Sequence, residues 1–171
     1  MAFPWRHRRN IPNPDSPAPK KAEEPYLSLR LPYPPIAENG SAFAQLFHDS
    51  ALDINDVDLD YSAASLEWVD GFLQRQHDEG LTMADFAETV FVAGCYVGEV
   101  LCRQAGGHWV DRDTLDPHGA GSLGMPILVS LPHGTTANPV GKAVKRFEGD
   151  PTDNLMYFYK VITTDPTIST D

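Results

Sequence analysis

The run Asp56-Val57-Asp58-Leu59-Asp60-Tyr61, with Glu67 at the twelfth position counted from Asp56, is the donor spacing in this chain most suggestive of chemistry. Calcium, a hard cation, is held by carboxylates at the first, third, fifth and twelfth positions of a twelve-residue loop. All four are present. The sixth position, where the sharp turn calls for Gly, is Tyr61, and the eighth is Ala63 rather than a larger apolar residue. The preferred reading is therefore an acidic linker whose Asp60 and Ser62 cap the helix that follows. Calcium binding by Asp56, Asp58, Asp60 and Glu67 is the alternative.

Other reactive groupings are sparse. Cys102, His108, His118 and His133 lie in one region, but no CxxC or HxxxH pair occurs among them, so no zinc site is expected. There is no GxSxG, HExxH or GxxxxGK[ST] signature. Gly119-Ala120-Gly121-Ser122-Leu123-Gly124 resembles a phosphate loop, yet a strand rather than a helix is predicted after it, so it reads as a hairpin connection. No catalytic residue and no cofactor are predicted. The one carboxylate that stands out is Glu99, the single charge between Thr89 and Cys102. A buried carboxylate needs a partner. Arg103 lies one turn on, in the favourable order for an ion pair. The competing reading is a binding site formed by Glu99, His108, Trp109, Lys145 and Arg146.

These side chains must be positioned by an α+β domain. Ser41 to Leu52 can form a short helix with Phe43, Leu46 and Phe47 on one side. Ser62 is the expected N-cap of a helix through about Glu79, striped by Leu66, Val69, Leu73 and Gln76 and widened by Trp68 and Phe72. Thr82-Met83-Ala84-Asp85 has capping-box spacing and opens a helix to about Gln104. That helix is apolar on both sides, so it belongs at the centre of the fold. Gly94 and Gly98 on it would admit another element close to its backbone. His108 to Asp111 and Met125 to Leu131 read as strands. Asn138-Pro139 starts a helix that Gly149 stops, and Asp153 to Ile162 reads as a last helix. The expected architecture is a helical layer, with a central buried helix, packed on a small antiparallel sheet.

Charge divides the chain in two. Of 171 residues, 13 are Lys or Arg and 24 Asp or Glu, a net charge of −11. Residues 1–35 hold 9 of the 15 prolines, six basic residues and three acidic ones. Such proline spacing stops helix and sheet propagation, so this segment is expected to be a disordered, basic arm. Residues 36–171 then form a single acidic domain with 7 basic against 21 acidic residues, a net of −14. That balance opposes binding to nucleic acid, whose phosphates require Lys and Arg. No apolar stretch follows the basic start, so a cleaved export signal is not expected. The longest uncharged apolar run, Thr89 to Gly98, is ten residues, about half of what a membrane span needs. Cys95 and Cys102, seven apart on one helix, are too distant to bridge and read as reduced thiols. Together these point to a cytoplasmic protein.

Three segments carry a resemblance. They are Leu59-Asp60-Tyr61-Ser62 with Ser65-Leu66 and Val69-Asp70; Gly94 to Val100 followed by Gly106-Gly107-His108-Trp109; and Asn138-Pro139 with Val144 to Gly149. Their order resembles a group of small bacterial proteins, frequent in actinobacteria, classed as domains of unknown function and marked by a GxYxGE…GGxW core. The resemblance implies a bacterial cytosolic α+β domain and supplies no catalytic residue. Combined with the acidic body, it leads to the expectation of a non-enzymatic interaction domain. One form would be an antagonist of a basic protein partner, of the immunity type, guided by opposite fields. The alternatives are a ligand-binding or enzymatic pocket near Glu99, His108 and Lys145, and the calcium module over residues 56–67.

Overall fold

A computed structural model describes residues 29–115, 124–150 and 152–164. Most of the predicted arm, His118 and the Gly119–Leu123 connection lie outside these described residues. The order of elements is a 3₁₀ turn at Ala37–Asn39, α1 (Gly40–Asn55), α2 (Ser65–Asp78), α3 (Met83–Ala105), β1 (His108–Asp111), α4 (Arg112–Leu115), β2 (Ile127–Ser130), β3 (Thr136–Ala137), α5 (Pro139–Phe147) and α6 (Leu155–Thr163). The three strands form one antiparallel sheet in the order β1-β2-β3, with Trp109 opposite Val129 and Val129 opposite Ala137. This is the α+β arrangement expected from the pattern.

The central position of α3 follows from its composition. Every residue from Thr89 to Leu101 is buried, because apolar side chains occupy all sides of these turns and neighbours cover each of them. Phe91 meets Phe43 of α1 edge-on at 5.2 Å. Phe86 stacks on Phe147 of α5 at 5.7 Å. The two glycines expected to permit close approach do so. A Cβ on Gly94 would lie 2.5 Å from the Val140 Cα, and one on Gly98 would lie 2.2 Å from the Trp109 ring. The α5 backbone and the Trp109 indole are thus seated directly on α3.

Helix starts differ in detail from the expected ones. Ser62 was expected to cap α2 directly. The helix instead begins at Ser65, after a tight turn in which Ser65 N donates to Ser62 Oγ. At α3 the Thr82 hydroxyl donates to Asp85 Oδ2 rather than accepting an amide, so the capping box does not form. With Asp one methylene shorter than the usual Glu, the carboxylate reaches the Thr hydroxyl but not the Thr amide. The Asn138 cap forms as expected, its Oδ1 accepting from Gly141 N at 2.8 Å. Three elements were not anticipated: the 3₁₀ turn at Ala37–Asn39, the single turn α4 and the two-residue β3. Among the described residues, no helix is long and apolar enough to cross a membrane.

Candidate functional site around Glu99 and Tyr61

Glu99, near the end of the buried stretch of α3, is 7% exposed. Three donors from three parts of the chain converge on it. Arg103 Nε donates to Oε1 at 2.9 Å, while Ser41 Oγ and Trp109 Nε1 donate to Oε2 at 2.8 and 3.1 Å. Burial pushes this carboxyl upward, but the hydrogen bonds from Arg103, Trp109 and Ser41 outweigh it and hold it below its ordinary value. The indole that donates is gripped between Gly40, where an added Cβ would lie 2.4 Å from the ring, and Gly98. Glu99 therefore pins the first turn of α1 and the start of the sheet to the end of α3.

Arg103 continues the network outward. Its guanidinium lies 3.7 Å from the centre of the Tyr61 ring, a cation–π contact. Tyr61 is backed by Tyr96, stacked at 4.7 Å, and by His48, parallel at 5.6 Å. Its backbone is left-handed, with φ of 58°, which a bulky residue adopts only when its surroundings impose it. Here they do. Tyr61 N donates to Tyr96 Oη, Gln104 donates to its carbonyl, and its hydroxyl donates to Gln45. Tyr96 Oη also meets Ser65 Oγ at 2.8 Å. Burial raises the Tyr61 phenol to about 12, and raises that of Tyr96 as well.

The five residues proposed from sequence as one site are distributed over different surroundings. Glu99 and Trp109 meet. His108, first residue of β1, is exposed, as is Lys145. Arg146 forms a bidentate pair with Asp70 at 2.8 and 2.9 Å, and Asp70 also accepts from Leu155 N. That clip ties α2 and α5 to the positive N-terminal end of α6. Ser41, Tyr61 and Tyr96 were not anticipated as members of the network. The two tyrosines stand within motifs singled out in the sequence, but nothing in their spacing shows that a left-handed turn brings them together.

The acidic run is arranged as a surface. Asp56 closes α1 in a left-handed conformation. Asp58 meets His48 Nε2 at 3.2 Å, and Asp60 Oδ1 accepts from Ser62 N. Asp60, expected to cap the helix that follows, instead closes the turn ahead of α2, which begins at Ser65. The Ser62 hydrogen bonds hold the Asp60 carboxyl below its ordinary value, and those from Gln45 and His48 do the same for Asp49. Among the described residues, no three His, Cys, Asp or Glu side chains gather in a way that could hold a metal ion. Cys95 and Cys102 are both free thiols on α3.

Asp49, Asp53, Asp56, Asp58 and Asp60 are all exposed along the last turns of α1 and the connection after it. Leu52 and Ile54 between them are 41% and 36% exposed. Over the described residues, 13 exposed carboxylates face five exposed Lys and Arg. No protein-family model, curated protein or solved structure matches this chain.

Proposed function

We propose that this chain is a non-enzymatic protein-interaction domain whose acidic face on α1 engages a basic protein partner, as an antagonist that covers the partner's own anion-binding surface. The observation that carries the reading is the composition of that face. From Arg30 to Arg75 there is no intervening Lys or Arg, and five exposed aspartates lie on either side of the exposed Leu52 and Ile54 along the chain. Negative charge of this density accelerates encounter with a basic surface, and apolar side chains within it supply contact area once the surfaces meet. The same charge repels nucleic acid phosphates.

The resemblance to the bacterial family belongs to this proposal. It is supported by Tyr61, Tyr96, Glu99 and Trp109, drawn from separate segments of the pattern, meeting in one network. That convergence gives the pattern a packing rationale rather than a catalytic one. A cytoplasmic location is proposed on the two free thiols.

The test is capture of partners on the full chain, comparing wild type with Asp53→Asn/Asp56→Asn/Asp58→Asn. A second variant, Asp78→Asn/Glu79→Gln/Glu148→Gln, removes equal charge elsewhere. A basic protein retained by wild type and the second variant but lost from the first is the expected result. Retention by all three, or capture of no basic protein, would overturn the proposal.

A further inference from the structure

The acidic face has a candidate occupant within the same polypeptide. We infer that Phe3-Pro4-Trp5-Arg6-His7-Arg8-Arg9 docks in cis on this face of α1, so that a basic partner must displace it. The inference rests on the reading of that face as a site for basic protein sequence.

Charge complementarity is the first argument. Three arginines fall within four residues of the segment, opposite a face with five exposed aspartates whose own stretch of chain, residues 31–74, carries no Lys or Arg, with Arg103 of α3 stacked at its edge on Tyr61. Phe3 and Trp5 precede those arginines, and Leu52 and Ile54 are exposed apolar side chains on the face. Arginines preceded by aromatics suit such a surface, because the guanidinium pairs with carboxylates in a fixed plane while the rings cover aliphatic area.

Reach is the second argument. The first described residue, Leu29, packs against the core, and Arg30 N donates to Glu88 of α3. The 19 residues between Arg9 and Leu29 span roughly 60 Å when extended as a proline-rich chain. A folded body of this size has a radius of gyration of about 14 Å, so the segment reaches any point on its surface. Tethering also sets an effective concentration in the range of about 1–10 mM, so even a weak intrinsic contact is occupied. Contacts between separate molecules at micromolar concentration do not compete with it.

The experiment uses the full chain and two readouts. Amide spectra are compared between wild type and Arg6→Ser/Arg8→Ser/Arg9→Ser, whose changes lie outside the described residues. Shift changes at residues 49–60, with the rest of the folded body unmoved, are the expected result. Raising salt from about 20 to about 500 mM should move the same amides in wild type and leave the variant unaffected. The second readout is the affinity of octa-arginine, expected to be about tenfold tighter for the arginine variant because its tethered competitor is gone. Unchanged amides, changes centred elsewhere, or changes that grow with protein concentration, which indicate contact between copies, would overturn the inference. If octa-arginine binds wild type and the arginine variant equally but is lost on Asp53→Asn/Asp56→Asn/Asp58→Asn, docking in cis fails while the basic-partner reading stands. If the aspartate variant binds octa-arginine as well as wild type does, the basic-partner reading fails too.

Discussion

Glu99→Gln changes one atom of the network and leaves its shape intact, so the cost can be worked from the three hydrogen bonds that end on the carboxylate. The amide oxygen can serve only one side. If it faces Ser41 and Trp109, the new NH₂ confronts Arg103 Nε, and one charge-assisted bond of about 1.5–3 kcal/mol is lost. Arg103 is 47% exposed at its side chain, so water satisfies it and the loss falls at the lower end. In the opposite orientation the NH₂ faces the gripped indole N–H, which has no such escape. The first arrangement wins, and the expected destabilisation is about 1.5–2 kcal/mol, or a fall in Tm of roughly 5–8 °C for a body of this size.

The pH dependence of that difference carries a definite sign. Glu99 is held below its ordinary value of 4.5, so the unfolded chain takes up the proton first as pH falls. Its contribution is therefore complete above about pH 5 and disappears as pH falls through the folded value. Thermal and urea unfolding of wild type and Glu99→Gln at pH 7 should differ by the full amount, and the gap should narrow towards pH 3. Equal stability at pH 7, or a gap that does not change with pH, would refute the assignment of Glu99 as a charged anchor.

Other perturbations probe separate parts of the fold. Gly98→Ala places a methyl within the Trp109 ring and should cost about 2–3 kcal/mol in urea unfolding, with a shifted tryptophan emission. Tyr96→Phe strands the buried Tyr61 amide and should cost about 1–3 kcal/mol, whereas Tyr61→Phe, losing only the Gln45 contact at 3.2 Å, should cost under about 1 kcal/mol. Arg146→Met leaves Asp70 buried and without its bidentate partner, with an expected loss of about 3–5 kcal/mol that Asp70→Asn in the same chain should partly restore. Burial raises the Cys95 thiol well above its usual value and pushes Cys102 up to about 12, so both should resist a disulfide reagent at pH 8 until the chain unfolds.

What was legible in the sequence was whatever depends on local periodicity. The two-sided apolar character of α3 placed it at the centre, Asn138-Pro139 located the start of α5, and the Gly94–Gly98 spacing announced a close approach. The identity of what approaches was not legible, because Val140 and Trp109 arrive by tertiary packing. The site was read in part. Glu99 was identified from its isolation and Arg103 from its spacing, and Trp109 was named among its neighbours. Tyr61 was read as a residue misplaced in a calcium loop and as part of the Leu59–Ser62 segment, with no structural role assigned to it. Its left-handed φ of 58° is in fact set by contacts from Tyr96, Gln104 and Gln45, and such long-range determination leaves no trace in local sequence. Arg146 could be mistaken for a binding residue because its partner Asp70 lies 76 positions away.

The central claim is that the acidic face of α1 is where basic protein sequence binds. Calorimetric titration of octa-arginine into the full chain carrying Arg6→Ser/Arg8→Ser/Arg9→Ser, which has no tethered competitor, tests it most directly, with Asp53→Asn/Asp56→Asn/Asp58→Asn compared against Asp78→Asn/Glu79→Gln/Glu148→Gln on that background. Three neutralised contacts at about 0.5–1 kcal/mol each predict a loss of roughly tenfold or more for the first variant and little change for the second. Equal affinities for the two variants would mean that only net charge is sensed, and would contradict the claim.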